Sequence, residues 1–161
     1  MEGTLVDAGY RQQDGDAAFL NPGTPIYAVK GYKTSFRLAA WEDARLTLFE
    51  ADSNPAARVA GDLLDISGKV QYIGINSPQD GVTELAAIKD RAVSDALVRM
   101  VLEAPVNQQL TDHSAARYFI AFHLTDGTNV VRAYWPDTGE LSRGIVLPRQ
   151  FRQTIEQTLG H

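Results

Sequence analysis

The sequence predicts an α+β fold in which an antiparallel sheet, built from short hairpins, packs against two helices at about residues 90–103 and 148–159. Three observations predict this class: short runs of branched and aromatic residues between turn residues, two amphipathic helical patterns, and one strong hairpin turn. With 161 residues and 44% apolar composition, the chain is large enough to bury one core.

The first structured region is predicted to be a three-stranded meander. Residues 1–25 are rich in Gly, Asp, Asn and Gln and show no sustained period, so we expect a flexible tether. Three strand-like runs then follow, at 26–32, 35–41 and 45–50, and short turn segments separate them. We therefore expect one α+β domain over residues 26–161.

Residues 53–66 are compatible with two structures. Ser53 or Asn54 before Pro55 is a good helix start, but Gly61 weakens a helix by about 1 kcal/mol relative to Ala. The run at 63–66, a Ser-Gly pair and the run at 69–75 indicate a hairpin. We favour one helical turn followed by this hairpin.

The clearest helix pattern lies at 90–103. Asp90 is a good cap, and an apolar stripe recurs at helical spacing until Pro105 ends it. The stripe comprises Val93, Leu97, Met100 and Val101. A strand at 82–88 is expected to precede the helix and extend the sheet.

The second half predicts a hairpin and a closing helix. Apolar runs at 118–124 and 129–135 flank the turn sequence Thr-Asp-Gly-Thr, and the first run is apolar enough for a central strand covered on both faces. After a turn at 135–139, Pro148 opens a helix that ends at Gly160. Strand pair followed by helix thus occurs twice, but identity between the copies is poor and most α+β domains alternate hairpins and helices without a repeat, so we do not favour a duplicated ββα unit.

Net charge and cysteine content exclude several classes of partner and of chemical site. A net charge of −5 argues against nucleic acid, which is bound through clustered Lys and Arg. No apolar run is long enough to span a membrane. Zero cysteines exclude disulfides, thiolate metal sites and a Cys nucleophile. Because the first 25 residues resemble a tether, we favour an extracytoplasmic protein, secreted or lipid-anchored after signal removal.

Local motifs for catalysis are missing. His113 and His123 are the credible proton shuttles, but neither has a sequence neighbour that completes a catalytic or zinc-binding set. Phosphate-binding glycine loops and the Gly-x-Ser-x-Gly nucleophile motif are also absent. We therefore expect no metal, no cofactor and no catalytic residue.

The segment 132–152 carries the strongest hint of a ligand. A helix N-terminus flanked by arginines and aromatic rings attracts carboxylate or phosphate, so we expect any small anionic ligand to lie near Tyr134, Trp135, Arg143 and Arg149. A purely structural explanation competes: Arg152 pairs with Glu156 one turn on, and Tyr134 and Trp135 face opposite sides of a strand.

The functional expectation is a non-catalytic binding or interaction module, lipoprotein-like or sensor-like, whose partner is a protein or a small anionic ligand. The alternative is a small hydrolase in which acidic residues and His123 converge in a cleft. The sequence leaves the oligomeric state open.

Overall fold

The strands of this chain form two antiparallel sheets rather than one. The computed structural model describes residues 20–21, 23–42, 44–51, 53–107 and 117–160. These residues belong to two compact units, Met1–Asp52 and Ser53–His161, with a three-stranded and a six-stranded sheet respectively. The α+β class with antiparallel hairpins and two helices is confirmed. The single domain over 26–161 stays a prediction.

The first unit is the expected meander. Strands β1 (Ile26–Ala28), β2 (Arg37–Glu42) and β3 (Arg45–Glu50) pair antiparallel in the order β1-β2-β3. Ala44 lies at φ 60° between β2 and β3, in the left-handed region that tight turns use. Most of the predicted tether at 1–25 lies outside the described residues.

A buried cation anchors the first unit. Arg37 is 1% exposed, and its Nη2 donates to Glu50 Oε1 at 2.7 Å. Its guanidinium also lies 4.7 Å from the Tyr32 ring centroid and 5.3 Å from that of Phe36. A buried charge is costly unless it is paired, and the carboxylate and the two rings offset that cost.

The second unit is a six-stranded sheet in the order β5-β4-β6-β7-β8-β9. Its central strands arise from the apolar runs predicted at 69–75 and 118–124. The bounds are β4 Val70–Asn76, β5 Glu84–Ile88, β6 Tyr118–Leu124, β7 Asn129–Trp135, β8 Glu140–Leu141 and β9 Ile145–Val146. The predicted β6–β7 hairpin is confirmed, with Leu124 and Asn129 on either side of a turn in which Gly127 has φ 83°.

One face of this sheet forms the core. The register places alternate residues of β4, β6 and β7 on that face; Tyr118 and Arg132 there are half-buried, whereas six of the side chains have no exposed surface. They are Ile73, Ile75, Ile120, Phe122, Val130 and Tyr134. Phe151 of the last helix packs edge-on against Tyr134, with 5.4 Å between ring centroids, which identifies this face as the helix-covered one.

Both predicted helices are present. Helix α1 spans Arg91–Glu103 and α2 spans Arg149–Leu159. The Asp90 carboxylate caps α1 by accepting from the Val93 amide at 2.9 Å, and Gly160 ends α2 at φ 81°. In α1 the buried stripe is centred on Leu97, Val98 and Val101, whereas Val93, expected in the stripe, is 38% exposed at its margin.

Neither described helix has the length and apolarity needed to cross a membrane.

The hairpin expected at 63–75 is wrong. A single 3-10 turn at Ala60–Asp62 is followed by an irregular segment whose Leu63, Leu64 and Ile66 are buried. β4 pairs with β5 along one edge and with β6 along the other. A strand has only two hydrogen-bonding edges, so residues 63–66 contribute side chains to the core instead of a strand to the sheet.

The far edge of the sheet is covered by the chain that leaves α1. Val106 forms an antiparallel bridge with Ile145 of β9, and the Asn107 amide donates to the Gly144 carbonyl at 2.8 Å. Pro105 in turn bridges Val59. The short strand β9 is therefore paired on both sides.

Leu97 provides a test of the core. Leu97 is 1% exposed, so Leu97→Ala should lower the free energy of unfolding by about 2–5 kcal/mol, the range for emptying a packed site. Val93→Ala, in the same helix at an exposed position, is the control and should change it by no more than about 0.5 kcal/mol. Urea denaturation measures both, and equal losses would contradict the packing described here.

Candidate functional site

The outer face of the six-stranded sheet, turned away from the helices, is only partly covered. On β6 it carries Phe119, Ala121 and His123, of which Phe119 and His123 are half-buried. β6 is central, as expected, but it is not fully covered on both faces. A half-buried face with aromatic and titratable side chains is where a ligand can reach the sheet.

Two small residues form a low floor in this face, which the larger side chains around it cover. Gly74 of β4 lies directly opposite Ala121 of β6. The neighbouring pairs on either side are large: Tyr72 opposite His123, and Asn76 opposite Phe119. Large side chains thus stand at both ends of a glycine-alanine floor, and we call this feature the Gly74 depression.

Three polar atoms converge above Gly74. A Cβ added to this glycine would lie 2.8 Å from Glu84 Oε2, 3.2 Å from His123 Nε2 and 3.3 Å from Asn76 Oδ1. Glu84 comes from the edge strand β5, where a register irregularity between Ile75 and Asn76 sets it opposite Asn76. A carboxylate, an imidazole and an amide oxygen from three different strands therefore share one space.

The His123 ring is held in a fixed orientation. It stacks on Tyr72 with 4.1 Å between ring centroids and an interplanar angle of 6°. The Lys89 ammonium lies 5.8 Å from the Tyr72 ring centroid. His123 Nε2 and Glu84 Oε2 are 3.8 Å apart, which is too long for a hydrogen bond. The two side chains face each other without a direct bond.

Asn76 is the most deeply buried member of the group. It is 6% exposed, and its Nδ2 donates to the Gly81 carbonyl at 3.0 Å. That bond leaves Oδ1 directed toward the depression, and no donor among the described residues reaches this buried oxygen. A buried acceptor without a donor costs about 1–3 kcal/mol, so a partner for it has a favourable place to bind.

A cation lies near two aromatic rings of the outer face, just before the start of β6. The Arg117 guanidinium is 5.4 Å from the Phe119 ring centroid and 5.5 Å from that of Trp135. Both distances are within the range of cation–π attraction. The aromatic residues of the outer face are thus already engaged by a neighbouring cation at this end.

The predicted anion site is distributed over both sides of the sheet. Trp135 lies on the outer face, whereas Tyr134 is buried beneath α2. Arg149 lines a shallow depression together with Arg152 and Glu156, and Arg143 is exposed in the turn between β8 and β9 at φ 76°. Two parts of the structural explanation for this segment hold. Arg152 pairs with Glu156 at 2.6 Å, and Tyr134 and Trp135 face opposite sides of the sheet. The anion site itself stays a prediction.

Gly144 has a structural role at the edge of the sheet. It lies at φ 71°, and a Cβ there would collide with the Asn107 carbonyl oxygen. The backbone of residue 107, not a ligand, makes the close approach that this glycine permits.

A second pocket lies between β7 and α2. Tyr134 lines it together with Pro136, Arg152 and Ile155. No described residue hydrogen-bonds the buried Tyr134 hydroxyl. Burial raises the pKa of Tyr134 to about 12, and the nearby Arg152 charge opposes part of this rise.

Comparison of the chain with protein-family models, curated proteins and solved structures finds no match.

Sequence reasoning identified His123 but missed its neighbours. Glu84 and Asn76 are 39 and 47 positions away in the chain, so no local spacing connects them to His123. Gly74, inside a strongly apolar strand pattern, was the available signal, because a glycine there indicates that something approaches the backbone closely. His113 lies outside the described residues.

Gly144 gives a direct test of the edge packing. Gly144→Ala should destabilise the fold by more than about 1–2 kcal/mol, because the left-handed conformation penalises Ala and the new methyl group meets backbone. Gly127→Ala is the control, since it has a similar φ with open space around it. Thermal or urea unfolding that shows equal losses for both would contradict the contact with residue 107.

Tyr134→Phe tests the buried hydroxyl. At neutral pH the variant should be more stable by about 1 kcal/mol, because a buried polar group without a partner is removed. Between pH 10 and 12 the unfolded chain releases this proton while the folded chain retains it, so wild-type stability falls as the pH rises. The variant should lose less stability over this window.

Urea denaturation at several pH values measures the difference, with Tyr118→Phe on the neighbouring strand as control. An unchanged pH dependence in Tyr134→Phe would contradict the assigned pKa.

Proposed function

We propose that this chain is a non-catalytic binding module that holds a small ligand in the Gly74 depression. The observation that carries the proposal is the convergence of Asn76 Oδ1, Glu84 Oε2 and His123 Nε2 above Gly74. The floor is formed by small residues, and the walls include two stacked rings. Such an arrangement, with a few polar groups directed into a recess, is typical of ligand sites.

A binding role is favoured over catalysis by the exposure of the acid. A general acid or base tuned for catalysis is commonly buried, whereas the Glu84 side chain is 38% exposed. It also lies 3.8 Å from His123 Nε2, so the carboxylate does not orient the imidazole through a hydrogen bond. The extracytoplasmic location and a small anionic ligand near Arg143 and Arg149 stay predictions from the sequence.

The hydrolase is the second candidate, and the proximity of Glu84 to His123 favours it. If the pair is catalytic, hydrolysis of p-nitrophenyl acetate or phosphate should exceed the buffer rate and be lost in both His123→Gln and Glu84→Gln. Arg91→Gln, an exposed substitution on α1, is the control. Turnover that both site variants abolish would replace the binding proposal.

Amide chemical shifts of the labelled protein test where small ligands bind. Four probes are titrated separately: zinc chloride, methylammonium chloride, sodium acetate and sodium phosphate. We expect at least one of them to shift the amides of Tyr72, Gly74 and Ala121 in a saturable way. The same titration on Gly74→Ala, whose methyl group fills the recess, should show at least a tenfold weaker response.

Shifts confined to the surroundings of Arg143 and Arg149 would support the anion site and overturn the proposed one. Saturable binding that Gly74→Ala leaves unchanged would also overturn it.

A further inference from the structure

We infer that the Gly74 depression binds a first-row divalent metal ion, such as Zn²⁺, through His123 Nε2, Glu84 Oε2 and Asn76 Oδ1. This inference rests on the proposed function and names the ligand class of that same site. Among the described residues, no three of His, Cys, Asp and Glu gather as a metal site. Here the third ligand is an amide oxygen.

The separation of the imidazole and the carboxylate suits a shared ion. Zinc–nitrogen and zinc–oxygen bonds of about 2.0–2.2 Å together span up to about 4.3 Å. The 3.8 Å between His123 Nε2 and Glu84 Oε2 is within this span, although it is too long for the two atoms to bond each other. One small ion can therefore contact both atoms in their present positions.

Two of the three ligand atoms are oriented by a neighbour, as in established metal sites. The Tyr72 ring fixes the plane of the His123 imidazole. The hydrogen bond from Nδ2 to the Gly81 carbonyl fixes the Asn76 amide and directs Oδ1 inward. Such outer contacts determine ligand geometry and affinity. A metal ion would also provide the electrophilic partner that the buried Oδ1 lacks among the described residues.

Gly74 and Glu84 determine how an ion would enter the site. The absence of a Cβ at Gly74 lets the three polar atoms lie close over the strand, since a Cβ there would come within 2.8 Å of Glu84 Oε2. Glu84 lies on the edge strand β5, and its side chain is 38% exposed, so its carboxylate can turn outward to admit an ion and then close on it. The net charge of −5 favours cations over anions near the surface.

The mixed donor set selects the class of metal. Imidazole suits Zn²⁺, Ni²⁺ and related ions, whereas Ca²⁺ and Mg²⁺ prefer oxygen ligands alone. Three protein ligands leave a further position for water, as in open zinc sites. We therefore expect Zn²⁺ and Ni²⁺ to bind at least tenfold more tightly than Ca²⁺ or Mg²⁺.

Calorimetry of the full chain, dialysed against chelator and then chelator-free buffer, measures this with ZnCl₂, NiCl₂, CaCl₂ and MgCl₂. We expect one Zn²⁺ per chain, and an affinity at least tenfold lower in His123→Gln and in Glu84→Gln, because loss even of outer-shell contacts costs 10- to 100-fold. The control His113→Gln removes another histidine and should bind Zn²⁺ as the wild type does.

A second measurement keeps the result independent of variant folding. In the wild-type protein, Zn²⁺ should shift the ¹⁵N resonance of His123 Nε2 directly, and it should raise the Tm because only the folded state holds the site. Far-UV circular dichroism confirms that each variant is folded before its affinity is compared.

The metal inference and the proposed function can fail separately. If methylammonium, acetate or phosphate shifts the amides around Gly74 and Zn²⁺ does not, the metal inference is overturned and the binding site stands. Equal Zn²⁺ affinity in wild type and His123→Gln, or Ca²⁺ bound as tightly as Zn²⁺, also overturns the metal inference. If none of these probes affects the depression, both proposals are overturned.

Discussion

The antiparallel pairing of β4 with β6 is the contact on which the larger unit depends. It joins residues about 50 positions apart, and it places Ile73, Ile75, Ile120 and Phe122 on one face with no exposed surface. Both helices cover the sheet on that side. The opposite face of the same two strands carries the floor of the candidate site. One register therefore fixes the core and the recess together, and a slip by one residue would exchange them.

Local patterns predicted the elements whose determinants are close in sequence. The β6–β7 hairpin follows from its turn residues, and both helices follow from their caps and apolar stripes. The three-stranded meander follows in the same way. The failed hairpin at 63–66 shows the limit, because nothing within that run indicates that β6 occupies the edge of β4. Strands β8 and β9 have two residues each, too few for any periodicity to show.

The candidate site was largely beyond sequence reasoning. Its three polar residues come from three strands, and only the register brings them together. The sequence favoured the arginine-rich segment at 132–152 because its residues are adjacent in the chain. In the structure much of that segment has another explanation: the Arg152–Glu156 pair spans one helical turn, and Gly144 accommodates residue 107. Closeness in sequence thus led to the arginine-rich segment, although the side chains that converge in space are those of Asn76, Glu84 and His123.

The two edges of the large sheet differ in a way that matters for self-association. At one end the segment through Val106 pairs with β9, so the backbone groups of that strand are in use. At the other end β5 is the terminal strand, and no described segment pairs with its outer edge. Leu85 of this strand is 51% exposed. Among the described residues of this sheet, the outer edge of β5 is therefore the one open to strand addition. Glu84 lies on that edge strand, where a charged side chain disfavours pairing with an added strand. The same carboxylate that faces His123 is also placed to oppose sheet extension.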